Sequence, residues 1–125
     1  MIQTLLFVAL GGAIGSSARY LVGAATLRLL GAGFPWATLA VNILGSFVMG
    51  GLVVYLAHKG LTRHAPFLMT GLLGGFTTFS AFSLDAVALW QRGELTASVA
   101  YVGGSVVCAL AALLAGMAFA RGILA

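Results

Sequence analysis

The sequence predicts an all-α integral membrane protein of four transmembrane helices, the third broken near Gly74 to Thr78, and three observations lead there. Of the 125 residues, 62% are hydrophobic and only 6% carry charge. The mean hydropathy of +1.14 lies far outside the range of water-soluble domains. Interrupting the chain at its charges and its two prolines leaves four apolar stretches, each near the roughly 20 residues a helix needs to cross about 30 Å of hydrocarbon. These are 2–30, 34–57, 65–90 and 95–120, and together they make one domain over residues 1–125.

The first stretch carries Arg19, lacks a basic leader and is too long for the core of a signal peptide, so Met1 is expected to stay in the mature chain. Gly11 and Gly15 stand four apart in it, as do Gly71 and Gly75 in the third stretch and Ser46 and Gly50 in the second. That spacing puts small residues on one helix face and lets backbones meet closely, which is how membrane helices associate without a hydrophobic drive. Four helices are too few to enclose a wide aqueous path, so an oligomer, most simply a homodimer, is the expected unit.

In the second stretch Thr38, Asn42 and Ser46 recur at every fourth residue and form a polar stripe. An asparagine at membrane depth must find partners or bear several kcal/mol of desolvation. Tyr101 and Ser105 repeat that spacing on the last stretch, with Ala109 extending it without a hydroxyl.

The third stretch holds GGFTTFSAFS, Gly74 to Ser83, which gathers two glycines, four hydroxyls and three phenylalanines. Paired glycines beside paired threonines are poor helix material, because glycine costs about 1 kcal/mol there and threonine bonds back to carbonyls. Interrupted helices are tolerated at membrane depth only where the backbone is buried or lines a cavity, and the freed carbonyls then suit a cation. Beyond the break, Phe79 and Phe82 fall on one face and Ser80 and Ser83 form a second pair. Aromatic edges, hydroxyl protons and an amide NH₂ all offer partial positive charge to a small anion. An ion of carboxylate size costs on the order of 20 kcal/mol to dehydrate into a low dielectric, so replacement ligands are required. A full positive charge would hold the anion too tightly for conduction.

Charge placement is nearly even between the two sides of a four-span chain. One side carries Lys59, Arg63 and Arg121, the other Arg28 and Arg92, with Arg19 near the end of its span. With so little bias in Lys and Arg, insertion in both orientations and antiparallel pairing follow as an expectation. The formal charge of +4 is scattered, with no basic stripe of the kind nucleic acid requires. Cys108 is the only cysteine and allows no intrachain disulfide.

GGAIGSSARY (Gly11 to Tyr20), PWATLAVNILGSFVMG (Pro35 to Gly50) and GLLGGFTTFSAFSLD (Gly71 to Asp85) resemble the Fluc, or CrcB-like, family of fluoride channels. The resemblance implies an antiparallel, dual-topology homodimer in the bacterial inner membrane, with two fluoride pores and one structural Na⁺ on the twofold axis. It implies a pore amide from Asn42, edge-on rings from Phe79 and Phe82, and a polar track from Thr38, Ser80, Ser83, Tyr101 and Ser105. It also implies Na⁺ ligation by the backbone carbonyls of Gly74 and Thr77, and a vestibule role for Arg19. Ala81 and Ala109 depart from the family pattern, standing where threonine and serine occur in other members.

The rival class is a small proton-coupled multidrug exporter, which needs a membrane-embedded carboxylate as its coupling site. The only acids are Asp85 and Glu94; Asp85 is expected to cap its helix or pair with Arg92, and Glu94 to be solvated. An enzyme is disfavoured, since His58 and His64 have no nearby acid or cysteine with which to build a metal site or triad. Neither a nucleotide motif nor a proton relay is present, so transport is expected to be passive.

Overall fold

A computed structural model describes residues 1–125 as helices and short connections, without strands. Helix α1 spans Ile2–Leu30 and α2 spans Trp36–Lys59. After a 3-10 turn at Thr62–His64, the third span opens as a π-helical segment, Pro66–Leu73, and continues into the single turn α3, Gly74–Phe76. It resumes as α4, Phe79–Gln91, and α5 closes the chain at Leu95–Leu124. Four helices are long and apolar enough to cross a membrane: Ile2–Leu30, Trp36–Lys59, Thr62–Gln91 and Leu95–Leu124. The protein is therefore a multi-pass membrane protein.

The expected spans hold to within a few residues, with the last running four residues further, to Leu124. Their ends follow local chemistry. Pro66 opens the π-helical segment, where its missing N–H costs nothing. Gly60 terminates α2 at a φ of 66°, a left-handed conformation that L side chains avoid. Two details differ from the sequence reading. The wider π turn has no signal in the residue spacing, and in it the Gly74 amide reaches the Met69 carbonyl five residues back. The break is also narrower than expected, because Gly74 and Gly75 remain helical and only Thr77 and Thr78 are extended.

Small residues set the packing as their spacing predicted. Gly71 and Gly75 lie against α1, where an added Cβ would come within 2.7 Å of the Val8 and Gly12 carbonyl oxygens respectively. From the other side, a Cβ on Gly11 would come within 2.6 Å of the Phe67 carbonyl, and one on Gly15 would strike that of Leu72. Gly50 of α2 meets the Leu113 carbonyl of α5, and Gly116 returns the contact on Phe47. Two close-packed pairs result, α1 with the first half of the third span and α2 with α5.

Only 15 of the 125 residues are buried within the protomer. Leu5, Leu6, Val107, Leu110 and Leu114, spread over α1 and α5, are among the many large apolar side chains left exposed. Such a surface is covered by lipid or by another chain. The small core that exists is built from Phe82, Leu89 and Tyr101, between α4 and α5.

Candidate functional site: a charge-free cleft at the helix break

Asn42 of α2 creates the break. Its Oδ1 accepts the Thr78 amide at 2.8 Å and its Nδ2 donates to the Thr78 carbonyl at 3.0 Å, so one side chain occupies both polar groups of one residue. Thr77 is extended at φ −88°, ψ 159°, and Thr78 at φ −155°, ψ 121°. Thr78 Oγ1 then accepts the Ala81 amide at 3.1 Å and caps the start of α4. In an unbroken helix the Thr78 amide would bond to the Gly74 carbonyl, and the Ala81 amide to that of Thr77. Asn42 and Thr78 have taken both donors, so neither amide reaches the Gly74 or Thr77 carbonyl, the two that the family resemblance implies for a cation.

The Gly75 carbonyl is occupied differently, accepting a hydrogen bond from Arg19 Nε at 3.0 Å. Arg19 is half-buried beside the C-terminal end of the half-helix, where a cation opposes the negative end of the dipole. It lines a groove of about 440 Å³ with Ser16, Thr38 and Thr78.

Between α2, the break and α5 lies a cleft of about 430 Å³. Asn42, Ser46, Thr77, Phe79, Phe82 and Ser105 contribute to its wall, and no charged side chain does. Phe79 is 77% exposed, while Phe82 is 9% exposed and buried in the core. Their ring centroids lie 5.3 Å apart, and Phe82 is again 5.3 Å from Tyr101, whose edge-to-face contact with Phe34 continues the aromatic row. Ser105 stands out in this wall. Its Oγ is buried and has no hydrogen-bond partner within the protein.

The structure thus gathers Asn42, Phe79, Phe82 and Ser105 and leaves other expected residues apart. Thr38 lines the Arg19 groove and a second one of about 320 Å³ with Asp85 and Arg92, not the cleft. Ser80 is exposed, its hydroxyl 3.2 Å from Thr78 Oγ1, and Ser83 donates back to the Phe79 carbonyl at 2.9 Å. Tyr101 is buried behind Phe82 and donates its hydroxyl to Asp85 Oδ2 at 3.2 Å.

That last bond corrects the expected partner of Asp85. Arg92 instead faces Glu94 at 3.5 Å and donates to the Gly33 carbonyl at 2.9 Å. Sequence reasoning undervalued two residues here. Thr78, a poor helix former by type, is the capping residue of α4, its hydroxyl three residues before the Ala81 amide that it accepts. Asp85, an acid inside a span, finds its partner in the Tyr101 hydroxyl.

The CrcB-like protein family, also described as Camphor Resistance, matches residues 6–117. The chain belongs to the CrcB-like family. Among its CrcB-like relatives, a protein of Cereibacter sphaeroides is 63% identical over 125 residues, covering 100% of both chains. One from Ruegeria sp. is 59% identical with 99% of each covered, and one from Rhizobium johnstonii is 52% identical with 98% of this chain covered. Each of the three is named a fluoride-specific ion channel, FluC.

Proposed function

We propose that the protein is a passive fluoride-selective channel, not an enzyme, that lets cytoplasmic fluoride leave a bacterial cell down its gradient across the inner membrane. Full-length similarity to proteins named for that activity supports the reading. The observation that carries it is the uncharged cleft with an unpartnered donor, Ser105 Oγ, buried in its wall.

The chemistry is that of a replaced hydration shell. Asn42 spends one of its two N–H groups on Thr78 and keeps the other. The Ser105 proton, that amide proton and the positive ring edges of Phe79 and Phe82 together face an anion without neutralising it. Binding is then strong enough to admit fluoride and weak enough to release it. Chloride is larger and gains less from each close donor, so a narrow path rejects it. Ser80, Ser83, Thr38 and Tyr101 would form the polar approaches on either side, and Arg19 would raise the local anion concentration in its groove.

The working unit in this reading is an antiparallel homodimer with two pores. Phe79, exposed on the protomer, would complete its surroundings against the second copy. The near-even charge of the two sides supports insertion both ways round. A Na⁺ ion on the twofold axis would be held by the released carbonyls of Gly74 and Thr77 from each subunit, a hard oxygen set that suits it. Its charge would offset the carbonyl ends exposed by the break.

Protein reconstituted in liposomes loaded with fluoride should release it at once when an electrode reports external fluoride and an ionophore clamps the voltage, with no pH gradient imposed. Absence of fluoride release together with organic-cation flux driven by a pH gradient would instead support a proton-coupled exporter using Asp85.

A further inference from the structure

Both acids of the chain serve one end of the bundle, Asp85 with Tyr101 and Glu94 with Arg92. The other end, where α1 begins and α2 and α5 finish, carries Lys59, Arg63 and Arg121 with no acidic side chain to balance them. At that end a groove of about 470 Å³ runs between the first turns of α1 and the start of the third span. Its outer part is polar, with Gln3, Thr4, Arg63 and His64. Its inner part is apolar, where Phe7 and Phe67 meet edge to face at 6.4 Å and Leu10 follows one turn deeper.

Arg63 stands at the exposed rim of this groove. Its Nε donates to His64 Nε2 at 3.3 Å, and both terminal NH₂ groups are left without a protein partner. A guanidinium fork with two free arms matches the oxygens of a phosphodiester. From Gln3 to Leu10 the groove descends about 10 Å along α1, from headgroup level into the hydrocarbon.

We propose that this groove is a binding site for an anionic phospholipid of the surrounding bilayer. The phosphodiester is held by the Nη groups of Arg63, and an acyl chain lies along Phe7, Leu10 and Phe67. A free anion would have no use for the apolar depth, and an apolar partner none for the unopposed cation. Basic pockets between membrane helices bind anionic headgroups on these terms.

The test is to reconstitute the whole protein in vesicles of equal phosphatidylglycerol and phosphatidylcholine, extract it gently and count retained lipids by native mass spectrometry. The wild-type protein should retain phosphatidylglycerol preferentially. Arg63→Gln should lower that retention about fivefold, the share of one basic residue at an anionic surface, with fluoride flux unchanged. Arg121→Gln, the same charge change outside the groove, should leave retention intact, and Phe7→Ala should reduce it with the headgroup contact preserved. Equal retention of the two lipids, or equal losses in Arg63→Gln and Arg121→Gln, would overturn the site. Displacement of phosphatidylglycerol by millimolar inorganic phosphate would overturn the lipid as its occupant.

Discussion

Asn42 and Thr78 form a closed pair, amide against backbone, with bonds of 2.8 and 3.0 Å in opposite directions. The pair does two things at once. It satisfies a backbone that would otherwise be unpaired at membrane depth, and it leaves the second N–H of Asn42 free in a residue that lines the cleft. On the proposed function, structure and conduction are therefore coupled at this residue.

Asn42→Asp separates the two. A carboxylate still accepts the Thr78 amide but presents oxygen to the Thr78 carbonyl, losing a donor and adding repulsion. Fluoride efflux is expected to disappear, and thermal unfolding in detergent should show a loss of about 1–3 kcal/mol, the cost of an unmet polar group. An Asn42→Asp channel that conducts at the wild-type rate would contradict the assignment.

The two rings differ in what they support. Phe82 is in the core, so Phe82→Ile should cost roughly 1–2 kcal/mol of protomer stability through lost packing. Phe79 is exposed, and Phe79→Ile should cost within about 0.5 kcal/mol. Both should reduce fluoride efflux by about tenfold or more, as loss of about 1.4 kcal/mol of ion stabilisation requires. A flux that follows stability, low in one variant and normal in the other, would remove the rings from the conduction path.

Glycine contacts give a sharper structural test. Gly15→Ala drives a methyl into the Leu72 carbonyl, whereas Gly122 has nothing within 4 Å of an added Cβ. Gly15→Ala should destabilise the protomer by about 1–3 kcal/mol or prevent assembly, read as loss of a monodisperse peak in size-exclusion chromatography. Gly122→Ala should elute and melt like the wild type.

Arg19 donates to the Gly75 carbonyl, which ties it to the half-helix end. Arg19→Gln should lower the melting temperature more than Arg19→Lys, since lysine keeps the charge beside the dipole. If Arg19 also concentrates fluoride, the flux ratio of wild type to Arg19→Gln should narrow as ionic strength rises. A ratio independent of salt would confine Arg19 to its structural contact.

Much of this was legible in the chain because membrane helices leave little freedom. The four spans follow from length and hydropathy, and the glycine contacts follow from i, i+4 spacing alone. The partner of Asn42 could not be read, since Thr78 lies 36 residues away and no periodicity links the two. Neither could the division of labour among hydroxyls: Ser83 and Ser105 look alike in sequence, yet one bonds back to its own helix and the other is left without a partner. The pairing of Asp85 with Tyr101 depended on how α4 docks on α5, which the local pattern does not encode.

On the proposed function, uncharged donors replace the water around the smallest halide. Fluoride and chloride efflux measured from the same protein-loaded liposomes decides whether they do. Rapid fluoride release with chloride retained is the predicted result; equal release of both anions, or retention of both, would contradict it.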